Sequence, residues 1–403
     1  MKIGNDILPM KNEIQEYAWG SKPAIAALCG QPGPSSKPQA EFWMGAHPKA
    51  PSRVLIGDRW ERLDRLMEAD PQAILGKKAA ARFRGRLPFL FKVLAAAEPL
   101  SIQAHPSQAQ AVEGYEMENA AGIPINAPHR NYRDPNAKPE IICALTPFWG
   151  MNGFRSVASI REHHHRYCPM LSSALPDGVD DDADAAQEKL RSFFRHLMGL
   201  DAERCSAAID ACIARMDGTE PDLENWILRL NEHYPGDVGV LSPLWLNLVC
   251  LSPGEAMFLP AGQLHAYLEG TGIELMANSD NVLRGGLTPK HVDVPELMKV
   301  LRFVSTPVEK RYCRPLDAHV CQYDTPAEDF QLSVIQLKGG GEVVTRPGGT
   351  VQILLATSGT ATVTWGNGAG QMTLTSGASA LVPAKVGEYS LSGSTQIFVA
   401  GVP

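Results

Sequence analysis

Gln103 and His105 lie two residues apart in LSIQAHPS, residues 100–107, inside an apolar run bounded by Pro99 and Pro106. Side chains at positions i and i+2 of a β-strand point to the same face of the sheet. The spacing therefore directs an amide oxygen and an imidazole toward one point. The alternative for a single histidine beside a strand is a hydrogen-bonded core residue.

Two further side chains are candidates to complete a metal site with this pair. His265 follows a Pro-Ala-Gly turn between apolar strands, and Glu140 lies at the entry to the apolar strand IICAL. Two imidazoles, a carboxylate and an amide oxygen suit zinc or a similar divalent ion, and they leave room for water or substrate. Glu140 could instead form a strand-end salt bridge, and spacing alone leaves both interpretations open.

The composition limits the classes of protein to consider. With 403 residues, 44% of them hydrophobic and 20% charged, the chain is too long for one ordinary core and predicts two or three domains. A net charge of −7 without a basic block argues against nucleic acid as the main partner. The N-terminus lacks the apolar run of a signal peptide, and no stretch has the length of a membrane span.

The eight cysteines are scattered along the chain without a Cys-x-x-Cys pair. This pattern favours reduced, mostly buried thiols over a disulfide framework. Together with the composition, it predicts a multidomain cytoplasmic protein that binds neither membranes nor nucleic acid.

Three patterns of apolar residues follow one another along the chain. Residues 1 to about 154 carry short apolar runs between Pro and Gly, which predict strands, with a helix around 59–75. Residues near 156–235 show apolar spacings of three to four, which predict a helical insertion. From about 245 short strands with Gly-rich turns return, which is typical of jelly rolls or barrels.

Two features of the predicted helical part carry no chemistry in our interpretation. The triplet HHH at 163–165 follows a helical pattern and is expected at the surface. The acidic residues are expected to form a solvated loop before a helix N-terminus, where negative charge is favoured; they are Asp180, Asp181, Asp182 and Asp184.

An internal sequence repeat indicates two related barrels. PGEAMFLPAGQLHAYLEG, residues 253–270, aligns without a gap on SGASALVPAKVGEYSLSG, residues 376–393. Repetition of a strand–turn–strand unit implies a repeated architecture. Glu388 stands where the first copy has His265, so the second barrel is expected to be structural.

Several long motifs, in this order along the chain, resemble type I mannose-6-phosphate isomerases: QEYAWGS, EFWMGAHP, LPFLFKVLAAAEPLSIQAHPS, NYRDPNAKPE and PAGQLHAYLEGTGIELMANSDNVLRGGLTPK. The resemblance extends to about residue 295. The last hundred residues match the family only in their general pattern of short strands and Gly-rich turns. It implies a mainly β fold with two cupin-type jelly-roll barrels plus a helical domain. The implied domains are a catalytic cupin (1–154 and 245–310), a helical insertion (155–244) and a degenerate C-terminal cupin (311–403).

The resemblance also implies a function. The family interconverts mannose 6-phosphate and fructose 6-phosphate through an enediol(ate) and depends on zinc, here expected at one ion per chain. Carried over position by position, the family's metal ligands fall on Gln103, His105, Glu140 and His265.

Other site positions follow from the same motifs. The family's catalytic arginine corresponds to Arg284 in RGGLTPK, and its lysine before Pro-Glu corresponds to Lys138. Glu274 and Asp280 match polar positions that line the same pocket. Glu274 is chemically the easier base and Lys138 the easier charge stabiliser, but the sequence leaves this choice open.

The substrate contacts are less specific. Ser101 and Lys290 are further candidates for binding the phosphate, while Trp19 and Trp43 are candidates for a wall against the sugar or for the core. One departure from the family is Ala137, which stands where a histidine is expected. Because alanine transfers no proton, sugar-ring opening must then depend on another group, on water or on the spontaneous reaction.

Two rival functions share the ligand set. Two histidines and a carboxylate also bind iron(II) in cupin oxygenases, and a non-catalytic sugar-binding cupin would use the metal structurally. The oligomeric state cannot be read from the chain, and our expectation is a monomer.

Overall fold

The structure is a computed structural model that describes residues 4–175 and 183–403. The first and last parts of the chain consist mainly of strands, and the part between them is helical. This confirms a mainly β fold with a helical insertion. The first strands are β1 (Leu8–Lys11), β2 (Glu13–Gln15), β3 (Glu41–Met44), β4 (Arg53–Ile56), β5 (Arg59–Arg62), β6 (Phe89–Ala96), β7 (Ile102–Ala104), β8 (Glu140–Ala144) and β9 (Phe148–Phe154). The helices among them are α1 (Ala24–Leu28), α2 (Leu63–Ala69), α3 (Pro71–Leu75), α4 (Lys77–Arg82) and α5 (Gln108–Ala120).

The middle of the chain is helical where the apolar spacing predicts it. Its α-helices are α6 (Val157–Tyr167), α7 (Ala183–Met198), α8 (Ala202–Ile213) and α9 (Pro221–His233). Short 3-10 helices span Pro169–Ala174 and Val238–Leu244.

Strands return after this segment, with one further α-helix, α10 (Val294–Val300), and a 3-10 turn at Gly366–Gly368. The strands are β10 (Leu246–Leu251), β11 (Ala256–Leu259), β12 (His265–Ala277), β13 (Leu283–Gly286), β14 (Lys310–Arg311), β15 (Arg314–Pro315), β16 (Val320–Tyr323), β17 (Gln331–Thr345), β18 (Gln352–Trp365), β19 (Gly370–Thr375), β20 (Ser379–Val382) and β21 (Tyr389–Gly401).

The predicted helix over 59–75 is wrong at its beginning. Residues 59–62 form β5, which pairs antiparallel with β4 across a tight turn. The helical part begins at Leu63 and breaks at Asp70, whose carboxylate accepts the backbone N–H of Ala73 and caps α3. Local apolar spacing could not reveal the hairpin, because a strand is stabilised by its partner.

Eleven strands form the sheet that carries the candidate site. They run β14-β11-β8-β12-β6-β3-β2, with β7, β9, β10 and β13 joined to this path. β12 is the central element, since it pairs antiparallel with β6 and β8 along one half and with β7 and β9 along the other.

A second, ten-stranded sheet forms the other barrel, in the order β15-β16-β17-β21-β18-β20-β1-β4-β5 with β19 paired to β18. Three strands from the beginning of the chain thus belong to this sheet. Leu8 of β1 pairs with Leu381 of β20, and Met10 pairs with Val54 of β4.

The two barrels share the strand–turn–strand unit that the internal sequence repeat predicted. β11 and β12 correspond in the alignment to β20 and β21. Gly270 and Gly393 share a left-handed backbone, with φ of +129° and +140°. A Cβ at either position would lie within 2.6 Å of a backbone oxygen, so both turns require glycine. At the position equivalent to His265, Glu388 forms an exposed ion pair with Arg346.

The apolar interior joins these parts. One core cluster contains Phe91 and Val93 of the first barrel together with Ile353 and Leu381 of the second. Another packs the helices onto the first barrel, where Phe154 lies 5.9 Å from Phe194 between ring centroids. The barrel that carries the site is therefore packed against the second barrel and against the helical insertion.

The histidine triplet was predicted at the surface, and this is wrong for two of its members. His163 is 7% exposed and His164 is completely buried, whereas His165 is exposed. The imidazole of His164 packs edge-on against Phe193 at 5.1 Å. The predicted loop residues Asp180, Asp181 and Asp182 lie outside the described residues, while Asp184 lies in the first turn of α7.

The cysteines also differ from expectation at one pair. Cys313 and Cys321 form a disulfide between the neighbouring strands β15 and β16. The other six cysteines are free, and four of them are buried. The sequence could not pair Cys313 with Cys321, because the hairpin that joins them is short and has weak strand signals. No described helix is long and apolar enough to cross a bilayer.

Candidate active site

Three predicted ligands meet at the ends of three strands. His105 immediately follows β7, Glu140 begins β8 and His265 begins β12. Their ligand atoms all lie within 4.8 Å of one another, and each residue is at most 2% exposed. Strand pairing produces this convergence, because β12 binds β7 on one side and β8 on the other.

The hydrogen bonds of the two imidazoles orient them toward a common centre. Nδ1 of His105 donates to the carbonyl oxygen of Asn281 at 2.7 Å, and Nδ1 of His265 donates to that of Gln263 at 3.0 Å. Each Nε2 then carries a lone pair. Both Nε2 atoms and Oε2 of Glu140 are buried without a hydrogen-bond partner in the described residues. Buried polar atoms in proteins almost always have a hydrogen-bond partner. Three unpartnered atoms that can act as metal ligands therefore fit a divalent ion bound between them.

The charges at this point also suit a cation. Burial lowers the pKa of His105 to about 4, with Lys138 adding to the effect, so the imidazole is neutral at pH 7. Burial by itself raises the pKa of Glu140, but Lys138, His105 and His265 together outweigh it and hold that pKa well below its usual value. The Lys138 Nζ lies 2.9 Å from Glu140 Oε1. The site thus offers two imidazole nitrogens and one carboxylate.

Gln103 and Arg284 lie in one row with His265. Gln103 pairs directly with His265 of β12 on one side and with Arg284 of β13 on the other. Residues paired directly across antiparallel strands project to the same face, with Cβ atoms about 5 Å apart. The register therefore places the Gln103 amide next to the imidazole and brings Arg284 to the same face. Arg284 is partly buried. Burial is the main cause that lowers the pKa of its guanidinium, and the charge of the nearby Arg133 lowers it further.

Glu274 lies in a buried network. One carboxylate oxygen accepts from Lys92 Nζ at 2.8 Å and the other from the Tyr267 hydroxyl at 2.9 Å. Lys92 also contacts Glu41 at 3.3 Å. Burial raises the pKa of Glu274, and the neighbouring carboxylates Glu140 and Glu41 raise it further against the opposing charge of Lys92.

Asp280 forms ion pairs with Lys49 at 2.8 Å and with His47 at 3.5 Å. Burial alone raises the pKa of Asp280, but the bonds to His47 and Lys49 outweigh it and hold the pKa below the usual range. Trp19 stacks on Tyr17 with ring centroids 5.8 Å apart.

The other predicted residues vary in exposure. Trp43 is 6% exposed, and its indole N–H donates to Glu41 at 2.8 Å. Ser101 is partly buried and precedes β7, whose Ile102 pairs with Gly286 of β13. Lys290 is exposed.

Sequence reasoning missed several residues of this site. Lys92 is the only charged residue of the fully buried strand β6, and a lysine inside such an apolar run is a signal that could have been used. His47 and Asn281 gave no comparable signal. Asn281 is fully buried and holds the segment before Glu140 through the backbone amides of Arg133 and Asp134.

The paired antiparallel barrels and the buried cluster of two histidines and a carboxylate define a cupin with a candidate metal centre. Family profiles match the chain in three places: the catalytic domain of type I phosphomannose isomerase at residues 7–157, its helical insertion domain at 170–246, and a mannose-6-phosphate isomerase cupin domain at 319–402. The chain belongs to the type I phosphomannose isomerase family.

The sequences of individual relatives align with most of this chain. Mannose-6-phosphate isomerase of Escherichia coli (strain K12) is 42% identical over 385 residues, which cover 95% of this chain and 96% of that protein. The Homo sapiens protein of the same name is 35% identical and covers 83% of this chain, with 82% of its own length matched. A zinc-bound crystal structure of mannose 6-phosphate isomerase has a TM-score of 0.88 at 37% identity, covering 98% of this chain and 99% of that one.

Proposed function

We propose that this chain is a zinc-dependent isomerase that interconverts mannose 6-phosphate and fructose 6-phosphate. The observation that carries the proposal is the convergence of three buried, unpartnered ligand atoms, from His105, Glu140 and His265, in a member of this family. We assign Gln103 as the fourth ligand, because its strand register places it beside His265.

The reaction moves a hydrogen between C2 and C1 of an open-chain sugar and creates an enediol(ate). Its negative charge must be stabilised where it forms. Zinc, when bound, supplies a Lewis acid and a template for the sugar oxygens. Arg284 projects from the same sheet face as Gln103 and keeps its positive charge throughout, which suits it to hold the oxyanion or the phosphate.

We assign Glu274 as the base and Lys138 as the charge stabiliser. Burial raises the pKa of Glu274, which brings its proton affinity closer to that of a base working near neutral pH. The hydrogen bonds from Lys92 and Tyr267 fix both of its oxygens. Lys138 contacts Glu140, so its Nζ lies beside the residues that would hold the metal.

The remaining candidates are assigned to substrate binding. Ser101 and Lys290 are proposed to bind the phosphate and Asp280 to bind sugar hydroxyls. The stacked ring of Trp19 is proposed as an apolar wall. Ala137 supplies no proton-transfer group, so ring opening in this chain is proposed to proceed through water or another side chain.

We also propose a division of the chain into domains. Residues 1–154 and 245–310 would form the catalytic cupin, 155–244 the helical insertion and 311–403 the second cupin. The eleven-stranded sheet and the helices support this division, while β1, β4 and β5 tie the first domain to the second sheet. A cytoplasmic monomer is proposed as the active unit, supported by a ligand cluster that one chain completes.

Metal analysis combined with a coupled assay for fructose 6-phosphate tests the function. The zinc-loaded protein should form fructose 6-phosphate from mannose 6-phosphate under anaerobic conditions, and this result would exclude an iron-dependent oxygenase. Zinc binding without isomerisation, even after Ala137→His, would instead identify a sugar-binding cupin and refute the proposal.

A further inference from the structure

Three cations near the candidate site have no anionic partner among the described residues. The side chains of Arg133, Arg284 and Lys290 make no ion pair or hydrogen bond to any residue in 4–175 or 183–403. Most other charged groups around the site are paired, such as Lys92, Lys138 and Asp280. An uncompensated group of neighbouring positive charges is a candidate anion site.

The backbone of Arg133 is fixed beside β13. Its N–H donates to Oδ1 of Asn281 at 2.7 Å, and the N–H of Asp134 donates to the same oxygen at 3.2 Å. Asn281 lies just before β13, on which Arg284 is the second residue. Because Asn281 also accepts from the ligand His105, this segment is tied to the metal cluster.

The other side of Arg133 adjoins the segment that follows Lys290. Nδ2 of Asn131 donates to Asp293 at 2.9 Å, and the Tyr132 hydroxyl donates to Glu296 at 2.7 Å. The loop that carries Arg133 therefore lies between β13 and the chain leading into α10.

The charges support the same arrangement. Burial lowers the pKa of Arg284, and the next largest cause is the charge of Arg133. Lys290 is exposed, and partial desolvation of its side chain lowers its pKa, followed by the charges of Arg284 and Arg133. The nearby carboxylates of Asp134 and Asp293 accept the backbone N–H groups of Asp280 and Glu296, and neither forms an ion pair with a described cation. An anion would relieve the repulsion among the three cations.

We propose that Arg133 is a specificity-determining residue, which together with Arg284 and Lys290 binds the phosphate group of the substrate. This inference rests on the proposed function and names the residue that distinguishes phosphorylated from free hexoses. A guanidinium presents two parallel N–H donors to phosphate oxygens. A free hexose would leave the three cations uncompensated, which disfavours its binding.

Inorganic phosphate is the probe for this site. Calorimetric titration of the zinc-loaded full chain with phosphate, at fixed ionic strength, compares the unchanged protein with Arg133→Gln. Loss of a charge-assisted hydrogen bond should weaken phosphate binding about tenfold or more. Arg133→Lys should recover part of the affinity. The matched control is Arg314→Gln, because Arg314 pairs with Asp324 on the surface of the other barrel and should leave binding unchanged.

Kinetics give a second readout. Arg133→Gln should raise KM for mannose 6-phosphate about tenfold and change kcat by less than about threefold, because the residue binds the non-reacting end of the substrate. Zinc content and circular dichroism equal to those of the unchanged protein establish that the variant is folded. A merely structural role would lower kcat and zinc content together and would overturn the proposal.

The two proposals fail in different ways. Equal phosphate affinity of the unchanged protein and Arg133→Gln overturns the role of Arg133, as does an unchanged protein that binds no phosphate. Arg133-dependent phosphate binding in a protein that forms no fructose 6-phosphate supports the anion site and refutes the isomerase.

Discussion

At the scale of single residues, the candidate metal centre is defined by atoms that lack partners. Glu140 contacts His105 and His265 at 3.5 Å each, too far for strong hydrogen bonds, while Lys138 binds its other oxygen. Without a cation, the buried Nε2 atoms of both histidines and Oε2 of Glu140 would lack any hydrogen-bond partner among the described residues, which costs free energy. The geometry is therefore best explained by an ion that binds all three.

Glu140→Gln should abolish this centre. The change removes the only carboxylate of the proposed ligand set and leaves Lys138 unpaired, so zinc affinity should fall by more than about 100-fold, since loss of even an outer-shell contact costs 10–100-fold. Metal content after dialysis measures the effect. Glu388→Gln, at the position equivalent to His265 in the second barrel, is the control and should retain zinc. Full zinc content in Glu140→Gln would contradict the assignment.

At the scale of elements, α5 connects the ligand His105 to the loop of Arg133 and Lys138. It begins with a capping box in which Ser107 and Gln110 bond reciprocally. Its Glu118 accepts the backbone amides of Asn131 and Tyr132 at 2.9 and 2.8 Å. The helix thus holds the loop by buried hydrogen bonds.

Gly114→Ala should destabilise the protein, although glycine-to-alanine changes in helices usually stabilise by about 1 kcal/mol. A Cβ at Gly114 would lie 2.3 Å from the ring of Tyr132, and overpacking of this kind costs about 1–3 kcal/mol. The steric cost should therefore exceed the propensity gain. Urea unfolding measures the difference, with the exposed Glu116→Ala of the same helix as a near-neutral control. A more stable Gly114→Ala would show that Tyr132 can move freely.

The buried histidine of α6 should make the protein sensitive to acid. Burial lowers the pKa of His164 from 6.5 to about 4. Between these values the unfolded chain binds a proton that the folded chain does not, so stability falls as the pH decreases through this window. The loss from this residue should be about 2 kcal/mol by pH 5.

His164→Gln tests this expectation, because glutamine keeps an N–H donor but does not titrate. Its free energy of unfolding should depend less on pH between 6.5 and 5 than that of the unchanged protein. The exposed His165→Gln should keep the original dependence. Identical pH profiles for His164→Gln and the unchanged protein would show that other groups cause the acid sensitivity.

At the scale of the whole molecule, three strands from the beginning of the chain belong to the ten-stranded sheet, and the two barrels share a core cluster. Leu8 is 6% exposed and packs in the core cluster common to both barrels. Leu8→Ala should lower the free energy of unfolding by about 2–4 kcal/mol and speed hydrogen exchange in both sheets. Lys11→Ala, an exposed change in the same strand, is the control. Faster exchange confined to the ten-stranded sheet would show that the barrels unfold independently.

The sequence predicted what depends on local pattern and recognisable motifs. The apolar spacing located α6 to α9, and the motifs led to His105, Glu140 and His265. It did not predict the partners of Lys92, the burial of His164 or the place of β1, because each depends on chain segments brought together from far apart. Local periodicity contains no information on such contacts.

The pairing of Leu8 with Leu381 has a consequence for biosynthesis. A ribosome adds about 5–20 residues per second, so Leu8 and Pro9 wait tens of seconds for β20, whereas Met10 and Lys11 can pair with β4 much earlier. An unpaired strand is an opportunity for wrong association between nascent chains. The first strand is only four residues long and contains Pro9, which lacks an N–H donor, and Lys11, which carries charge. Until β20 has been made, the new chain thus exposes a short, charged edge on which neighbouring chains pair poorly.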